Sequence, residues 1–264
     1  MDLHLTGKLA LVTGSTAGIG LAIAAGLAGE GARVIVNGRT ESRVEQARRT
    51  ILNAHHNAAV EIFAGDLSRA DTADALIKRF ETVDILVNNL GTYAVKPFEA
   101  LTDDDWHGLI ETNFMSGVRL SRHYLPRMKQ AGWGRILFIS SESAVNIPVE
   151  MIHYGVTKTM QVALARGLAE TTAGTGVTVN SILAGPTRSE GAGNFLQDMA
   201  KAQGIAVEAV EKEFFRTARP SSLLQRLATT EEVAAITVFV ASPVSSATNG
   251  AALRVEGGVV RSIL

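Results

Sequence analysis

The chain contains no cysteine among its 264 residues. Disulfide bonds, zinc sites built on thiolates and cysteine nucleophiles are therefore excluded, and the composition fits a reducing compartment. The six histidines are scattered, without the spacing to carboxylates that a metal site requires. We therefore expect no metal centre.

An excess of either charge is also lacking. The chain has 25 Lys and Arg against 26 Asp and Glu, a formal net charge of -1, which gives no electrostatic basis for binding nucleic acid or an anionic membrane. No apolar run approaches the roughly 20 residues of a membrane-spanning helix. Residues 1–8 lack the basic and then apolar pattern of a secretory signal. These absences predict a cytoplasmic protein whose partner is a small molecule.

Seven short apolar runs, rich in Val, Ile or Leu, recur along the chain. They are Leu9–Thr13, Arg33–Asn37, Ala59–Ala64, Ile85–Asn88, Arg135–Ser140, Val177–Leu183 and Ala251–Val255. Apolarity that is continuous rather than alternating suggests strands buried on both faces, as in a parallel sheet. Helical patterns lie between most of the runs: Ile19–Gly29, Glu41–Ala54, Thr72–Phe80, Asp104–Gln130, Tyr154–Ala173 and Glu231–Val240. The alternation predicts an α/β fold, a single doubly wound Rossmann-type domain over residues 1–264, with about seven parallel strands and helices on both faces.

Two segments depart from this alternation of strands and helices. Pro126 should kink or shorten the helix predicted over Asp104–Gln130. Residues 187–225 are mostly polar and helical and contain no predicted strand. Because ligands in open α/β sheets bind beyond the carboxyl ends of the strands, an insertion directly after a strand is a candidate lid, the alternative being a peripheral helical pair without function. Three aromatic side chains of this insertion either line an apolar substrate pocket or simply pack: Phe195, Phe214 and Phe215.

A glycine-rich loop follows the first predicted strand. Thr13–Gly20 reads TGSTAGIG and opens directly into a helical pattern. Glycines allow a tight turn and a close approach of the backbone to a pyrophosphate, which the N-terminal amides of the following helix then face. The strand before the loop and the helix after it favour nucleotide binding over a purely structural turn.

The second predicted strand leads to an arginine rather than to an acidic residue. An acidic side chain near this point would bind the ribose 2′-hydroxyl of NAD, and none occurs before Glu41. Arg39 offers instead a guanidinium that suits a 2′-phosphate. The sequence therefore predicts NADP(H) in preference to NAD(H), the alternative being that Arg39 is a solvated surface residue.

A serine, a tyrosine and a lysine follow one another at suggestive spacings. Ser141 ends the apolar run RILFISS, Tyr154 lies 13 residues later, and Lys158 lies four residues after Tyr154. Residues four apart share one helix face, so Tyr154 and Lys158 can face one cleft. A nearby ammonium favours the phenolate and lowers a tyrosine pKa from about 10 toward the operating pH of a general acid or base. Ser140 is the alternative serine, and Glu142 either faces the cleft or lies on the surface.

Together these features resemble the short-chain dehydrogenase/reductase family, in its single-domain form with a Tyr-x-x-x-Lys active site, over about residues 5–258. The resemblance rests on Thr13–Gly20, on NNLG at Asn88–Gly91, on NSILAGP at Asn180–Pro186 and on RVEGG at Arg254–Gly258. It implies a catalytic set of four residues: Asn113, Ser141, Tyr154 and Lys158. It also implies cofactor contacts along the glycine loop and the following strand ends: Gly14, Ser15, Thr16, Gly18, Ile19, Gly20, Arg39, Asp66, Leu67, Asn88, Gly91, Tyr154, Lys158, Gly185, Thr187 and Ser189.

Three residues depart from the family's usual pattern. Leu90 stands where Ala is usual, and we expect it to displace the chain beside the cofactor or to narrow the cleft. Ala184 stands where Pro is common, which loosens that turn, and Ser189 replaces a Thr that often contacts the carboxamide. None of the three removes a catalytic group.

The resemblance implies hydride transfer between NADP(H) and a carbonyl or secondary alcohol. In this interpretation Ser141 donates a hydrogen bond to the carbonyl, Tyr154 transfers the proton, and Lys158 holds the nicotinamide ribose and lowers the pKa of Tyr154. Asn113 anchors a water that links Lys158 to solvent. The family also implies a homo-oligomer, a tetramer or a dimer, packed through the helices predicted at Asp104–Gln130 and Tyr154–Ala173.

Two alternatives remain open. A protein that binds NADP(H) and regulates a partner without turnover is compatible with the fold, because a fold does not fix a function. Sensors on this fold tend to lose the tyrosine or the lysine, whereas this chain keeps Tyr154 and Lys158. A nucleotide-sugar epimerase would need a larger C-terminal substrate domain than this chain can supply. The substrate itself is not predicted.

Overall fold

The strands of the protein lie in one parallel sheet. The computed structural model describes residues 1–190, 193, 197, 200–201 and 204–263. The strands are β1 (Leu9–Val12), β2 (Arg33–Gly38), β3 (Val60–Ala64), β4 (Ile85–Asn88), β5 (Gly134–Ser141), β6 (Val177–Ala184) and β7 (Ala252–Val255). Their order is β3-β2-β1-β4-β5-β6-β7, and each neighbouring pair is parallel. The predicted seven-stranded parallel sheet is confirmed.

Helices connect the strands and cover both faces of the sheet. The described α-helices are α1 (Gly18–Gly29), α2 (Glu41–Ala54), α3 (Ala70–Arg79), α4 (Asp103–Ile110), α5 (Ser116–Ala131), α6 (Ile152–Glu170), α7 (Val207–Thr217) and α8 (Thr230–Val240). One core cluster packs α1, α2 and α8 against the sheet, and a second packs α3, α5 and α6 against the opposite face. Strand β1 shows why its apolarity is continuous, since Ala10 and Val12 belong to the first cluster and Leu11 to the second.

The helix predicted over Asp104–Gln130 is interrupted by a π-helical turn. The turn spans Glu111–Met115, between α4 and α5, and carries Asn113. The prediction that Pro126 shortens the helix is wrong, because α5 runs through Pro126 and ends at Ala131, where Gly132 takes a left-handed conformation at φ 73°. Tyr124, two residues before Pro126, is fully buried and donates a hydrogen bond to the Phe80 carbonyl at 2.7 Å. Packing therefore holds the helix across a residue that lacks an N–H.

The carboxyl ends of the strands form a crevice where the strand order reverses between β1 and β4. Parallel α/β sheets bind ligands at such a point. Helix α7 lies in the predicted insertion that follows β6. Phe215 of α7 is buried with Val210 and Leu227 in a small cluster of its own, so it packs rather than lining a pocket. Phe195 lies outside the described residues.

Candidate active site

A cavity of about 1420 Å³ lies along the carboxyl ends of the strands and contains most of the predicted site residues. At one end it is lined by the glycine loop and Arg39, and at the other by Ser141, Tyr154 and Lys158. Phe214 and Arg219 of the insertion line it as well, and the prediction that the insertion acts as a lid stays a prediction. The predicted residues on its wall are Gly14, Thr16, Gly18, Ile19, Gly20, Arg39, Gly91, Ser141, Tyr154, Lys158, Gly185, Thr187 and Ser189.

The glycine loop has a conformation that requires its glycines. Gly14 and Gly18 have φ of 60° and 56°, in the left-handed region. A Cβ on Gly20 would lie 2.4 Å from Asn89 Nδ2 and 2.5 Å from the Gly14 carbonyl oxygen. The backbone is thereby left open at the N-terminus of α1, where an anion is favoured.

Ser15 supports this loop from beneath. Its side chain is fully buried, donates to the Val12 carbonyl at 2.7 Å and accepts from the Asn37 amide at 3.0 Å. Ser15 is not on the cavity wall, and its side chain bonds to the backbone on either side of the loop; its predicted contact with the cofactor stays a prediction.

The second residue of the NNLG segment, rather than the first, holds the glycine loop. Asn89 donates from Nδ2 to the carbonyls of Thr13 at 2.9 Å and Gly14 at 3.0 Å, and it lines the cavity. Asn88 is buried and instead donates to Ser121 Oγ at 3.2 Å. Leu90 is half-buried, packs against the core and is not on the cavity wall, so it does not narrow the described cleft.

Arg39 is exposed on the cavity wall beside Thr40 and Arg43. Arg43, which sequence reasoning did not single out, forms an ion pair with Glu190 of the insertion at 2.8 Å. The predicted cofactor contacts Asp66 and Leu67 do not line the cavity: Leu67 is in the core, and Asp66 accepts hydrogen bonds from Ser68.

Lys158 lies on the cavity wall, and Asn113 lies behind it. Lys158 Nζ donates to the Ile139 carbonyl at 2.9 Å and to Gln161 Oε1 at 3.3 Å, while Gln161 Nε2 donates to the Asn113 carbonyl. A Cβ on Gly91 would lie 3.4 Å from Lys158 Nζ and 3.5 Å from Asn113 Oδ1. Asn113 itself is buried and bonded to Thr92 and Thr157, so it reaches the site through neighbours. Gln161 was not predicted, because a buried glutamine on a helix carries no sequence signal.

The two candidate serines have different roles in the structure. Ser140 Oγ donates to the Lys158 carbonyl at 2.9 Å, which fixes β5 to α6. Ser141 Oγ accepts from the Ser143 amide at 3.1 Å and donates to the carboxylate of Glu142. Both serines line the cavity, but the Ser140 hydroxyl is engaged by the Lys158 carbonyl, which favours Ser141 as the serine available to a substrate, as does its spacing from Tyr154.

Glu142 faces the cavity as part of an ion-pair cluster that the sequence did not reveal. Arg219 Nε lies 3.1 Å from Glu142 Oε1, and Arg219 Nη1 lies 3.3 Å from Glu150 Oε1. The side chains of Arg219 and Glu142 are only 9% and 5% exposed. The cluster joins the insertion to the residue next to Ser141, across 77 positions of sequence.

Burial dominates the protonation of the tyrosine and the lysine. It raises the pKa of Tyr154, as does the negative charge of Glu142, while a hydrogen bond with Ser141 acts in the opposite direction. Burial also lowers the pKa of Lys158 from 10.5 to about 8. The prediction of a lowered Tyr154 pKa is therefore wrong for this state, because desolvation of the phenolate is the largest effect. Lys158 Nζ lies 5.6 Å from the centre of the Tyr154 ring.

The lowered pKa of Lys158 should make stability depend on pH. Between pH 8 and 10.5 the unfolded chain keeps the Lys158 proton that the folded protein has lost, so raising the pH favours folding. We expect the free energy of unfolding of the unmodified protein, relative to the Lys158→Met variant, to rise over this range by on the order of 3 kcal/mol. Urea denaturation at both ends of the range measures it. Lys78→Met, at an exposed lysine, is the control and should show no such trend. If the difference in free energy of unfolding between the unmodified protein and Lys158→Met stays constant over this pH range, the pKa of Lys158 is not lowered by folding.

The comparisons with known proteins agree with this architecture. The family model described as short chain dehydrogenase matches residues 8–200, and the chain belongs to this family of oxidoreductases. Two similar relatives are the uncharacterized oxidoreductases YvrD and YvaG of Bacillus subtilis (strain 168), 48% and 46% identical, each match covering 100% of both chains. A similar solved structure is L-sorbose reductase from Gluconobacter frateurii, complexed with NADPH and L-sorbose. It is 30% identical with a TM-score of 0.94, and 100% of both chains is covered.

Two further findings concern what the described residues lack. Within residues 1–190, 193, 197, 200–201 and 204–263, no helix has the length and apolarity to cross a membrane. The same part of the chain contains no group of three or more His, Cys, Asp or Glu side chains that could hold a metal ion.

Proposed function

We propose that the protein is an NADP(H)-dependent oxidoreductase that interconverts a carbonyl and a secondary alcohol. The observation that carries this proposal is one cavity with the glycine loop and Arg39 at one end and Ser141, Tyr154 and Lys158 at the other. The open backbone of the loop fits a pyrophosphate, and the cavity continues from the loop to the catalytic side chains, as a dinucleotide that ends in nicotinamide requires. When bound, the nicotinamide supplies or accepts the hydride.

The side chains at the inner end position the substrate and transfer the proton. Ser141 donates a hydrogen bond to the substrate oxygen, and Tyr154 gives the proton during reduction or takes it during oxidation. A tyrosine hydroxyl, with an ordinary pKa of about 10, is protonated at neutral pH, which is the form that reduction requires. Lys158 provides positive charge beside the tyrosine, and Asn113 positions the segment around Gly91 and Thr92.

A preference for NADP(H) follows from Arg39, with Arg43 beside it on the same wall. The L-sorbose reductase structure, which contains NADPH, supports use of this cofactor. We expect Arg39→Ala to weaken NADPH binding by ~10–100-fold, the worth of a charge-assisted hydrogen bond, and to leave NADH binding unchanged. Fluorescence titration with each cofactor measures both constants. The control is Arg49→Ala, which removes an exposed arginine of α2 that pairs with Glu45. Equal weakening of NADPH and NADH would mean that Arg39 does not recognise the 2′-phosphate.

The experiment that tests the function combines that titration with a carbonyl reduction assay. Oxidation of NADPH that depends on an added ketone or aldehyde supports the proposal. Tight NADPH binding without turnover on any carbonyl would favour the regulatory alternative. A homo-oligomer, a tetramer or a dimer packed through α5 and α6, is part of the same proposal, and light scattering coupled to size-exclusion chromatography tests it.

A further inference from the structure

The ion-pair cluster of Glu142, Arg219 and Glu150 lies on the wall of the substrate end of the cavity. Both carboxylates come from the segments that carry the reacting groups. Glu142 follows Ser141 directly, and Glu150 precedes Tyr154 by four residues. A substrate whose carbonyl is held by Ser141 and Tyr154 therefore presents its neighbouring carbon atoms to this cluster.

We infer that the cluster selects a neutral, polyhydroxylated ketone, or the corresponding polyol, over ketones that carry a carboxylate or have no hydroxyl groups. This inference rests on the proposed function and names the substrate class of the same site. Its basis is the charge and the hydrogen-bonding capacity of three side chains, two of which are almost completely buried.

The charge of the cluster disfavours an anionic substrate. Two carboxylates face one guanidinium, so the cluster carries one excess negative charge. Lys158, the nearby cation on the wall, directs its hydrogen bonds to Ile139 and Gln161. The charge of Glu142 reaches the reacting group, because it contributes to the raised pKa of Tyr154. A carboxylate on the substrate would meet this charge in a partly desolvated cavity, where repulsion is strong.

The hydrogen-bonding capacity of the cluster favours hydroxyl groups. A carboxylate only accepts hydrogen bonds and a guanidinium only donates them, whereas a hydroxyl does both. Among the described residues, neither Glu150 Oε2 nor Arg219 Nη2 has a protein partner within hydrogen-bond distance. Sugar-like hydroxyls can satisfy both atoms, while an alkyl chain would cover them and leave them unpaired.

Steady-state oxidation of NADPH with four ketones tests the inference. Erythrulose and D-fructose are neutral hydroxyketones, 2-butanone has the four-carbon chain without hydroxyls, and acetoacetate has it with a carboxylate. We expect kcat/KM for the better hydroxyketone to exceed that for 2-butanone and for acetoacetate by about 100-fold or more. Turnover in which 2-butanone or acetoacetate is preferred overturns the substrate class and leaves the proposed function standing. Absence of turnover with any carbonyl, while NADPH binds, overturns the proposed function itself.

The variant Glu150→Gln assigns the effect to the cluster. Its side chain is 40% exposed, so the fold should tolerate the change. Removing the excess charge should raise kcat/KM for acetoacetate about 10-fold and lower it for erythrulose about 10-fold, with 2-butanone unaffected. Structural damage cannot produce the gain on acetoacetate. Glu170→Gln, which removes an exposed glutamate of α6 paired with Arg166, should leave all the values unchanged. Equal behaviour of the two variants overturns the inference.

Discussion

Replacing Tyr154 by phenylalanine should lower the rate of NADPH-dependent carbonyl reduction by ~1000-fold or more and leave the affinity for NADPH nearly unchanged. The hydroxyl is proposed to deliver the proton, and a positioned general acid contributes typically 10²–10⁴-fold. Only one oxygen atom is removed from a side chain already packed against Tyr93, at 6.1 Å between ring centres, so the cavity should keep its shape. Steady-state kinetics and fluorescence titration measure the two quantities.

Tyr93→Phe is the matched control for this variant. It removes the hydroxyl of the other tyrosine on the cavity wall, half of whose surface is exposed, and should change the rate by less than about tenfold. Turnover retained in Tyr154→Phe, or lost equally in both variants, would show that Tyr154 is not the proton donor.

The second large effect concerns stability. Arg219→Met should lower the free energy of unfolding by about 3–5 kcal/mol, because it leaves the carboxylate of Glu142 buried without its counter-charge. Adding Glu142→Gln should recover most of the loss, since a neutral amide still accepts the hydrogen bonds of Ser141 and Ser143. Urea denaturation of the single and double variants measures the coupling between the two residues.

A neighbouring arginine provides the control for this experiment. Arg216 of α7 pairs with Glu213 in water, with 71% of its side chain exposed. Arg216→Met should cost less than about 1 kcal/mol, as surface ion pairs do. If Arg219→Met and Arg216→Met lower the free energy of unfolding by the same small amount, the Glu142–Arg219 pair is not buried in solution.

The sheet could be predicted from the sequence because its strands are buried on both faces. Ala10, Leu11 and Val12 are all apolar although neighbouring residues of a strand face opposite sides, whereas a strand with one solvated face would alternate apolar and polar residues. The glycine loop was predictable for a similar reason, since a Cβ at Gly20 would collide with the backbone. Features that depend on the sterics and burial of neighbouring residues can therefore be predicted from the sequence.

The parts of the site that were missed depend on contacts between distant segments. Choosing between Asn88 and Asn89 requires knowing which one faces the crevice, because adjacent residues at a strand end point to opposite sides. The π-helical turn around Asn113 differs from an α-helix in its hydrogen-bond register, which composition does not encode. Arg219 reaches Glu142 from an insertion 77 residues further along the chain. No spacing rule connects two such positions.

The hydrogen bond from Ser141 to Glu142 affects whether Ser141 stabilises the bound ketone or the transition state. A serine hydroxyl has a single hydrogen, for which the Glu142 carboxylate, the Tyr154 oxygen and a substrate oxygen compete, and in this structure it is directed to the carboxylate. A neutral carbonyl oxygen competes poorly with a carboxylate for that hydrogen, whereas the same oxygen competes well once reduction has given it negative charge. Ser141 is thus expected to stabilise the transition state more than the bound ketone, and interactions of this kind raise kcat rather than tighten ground-state binding.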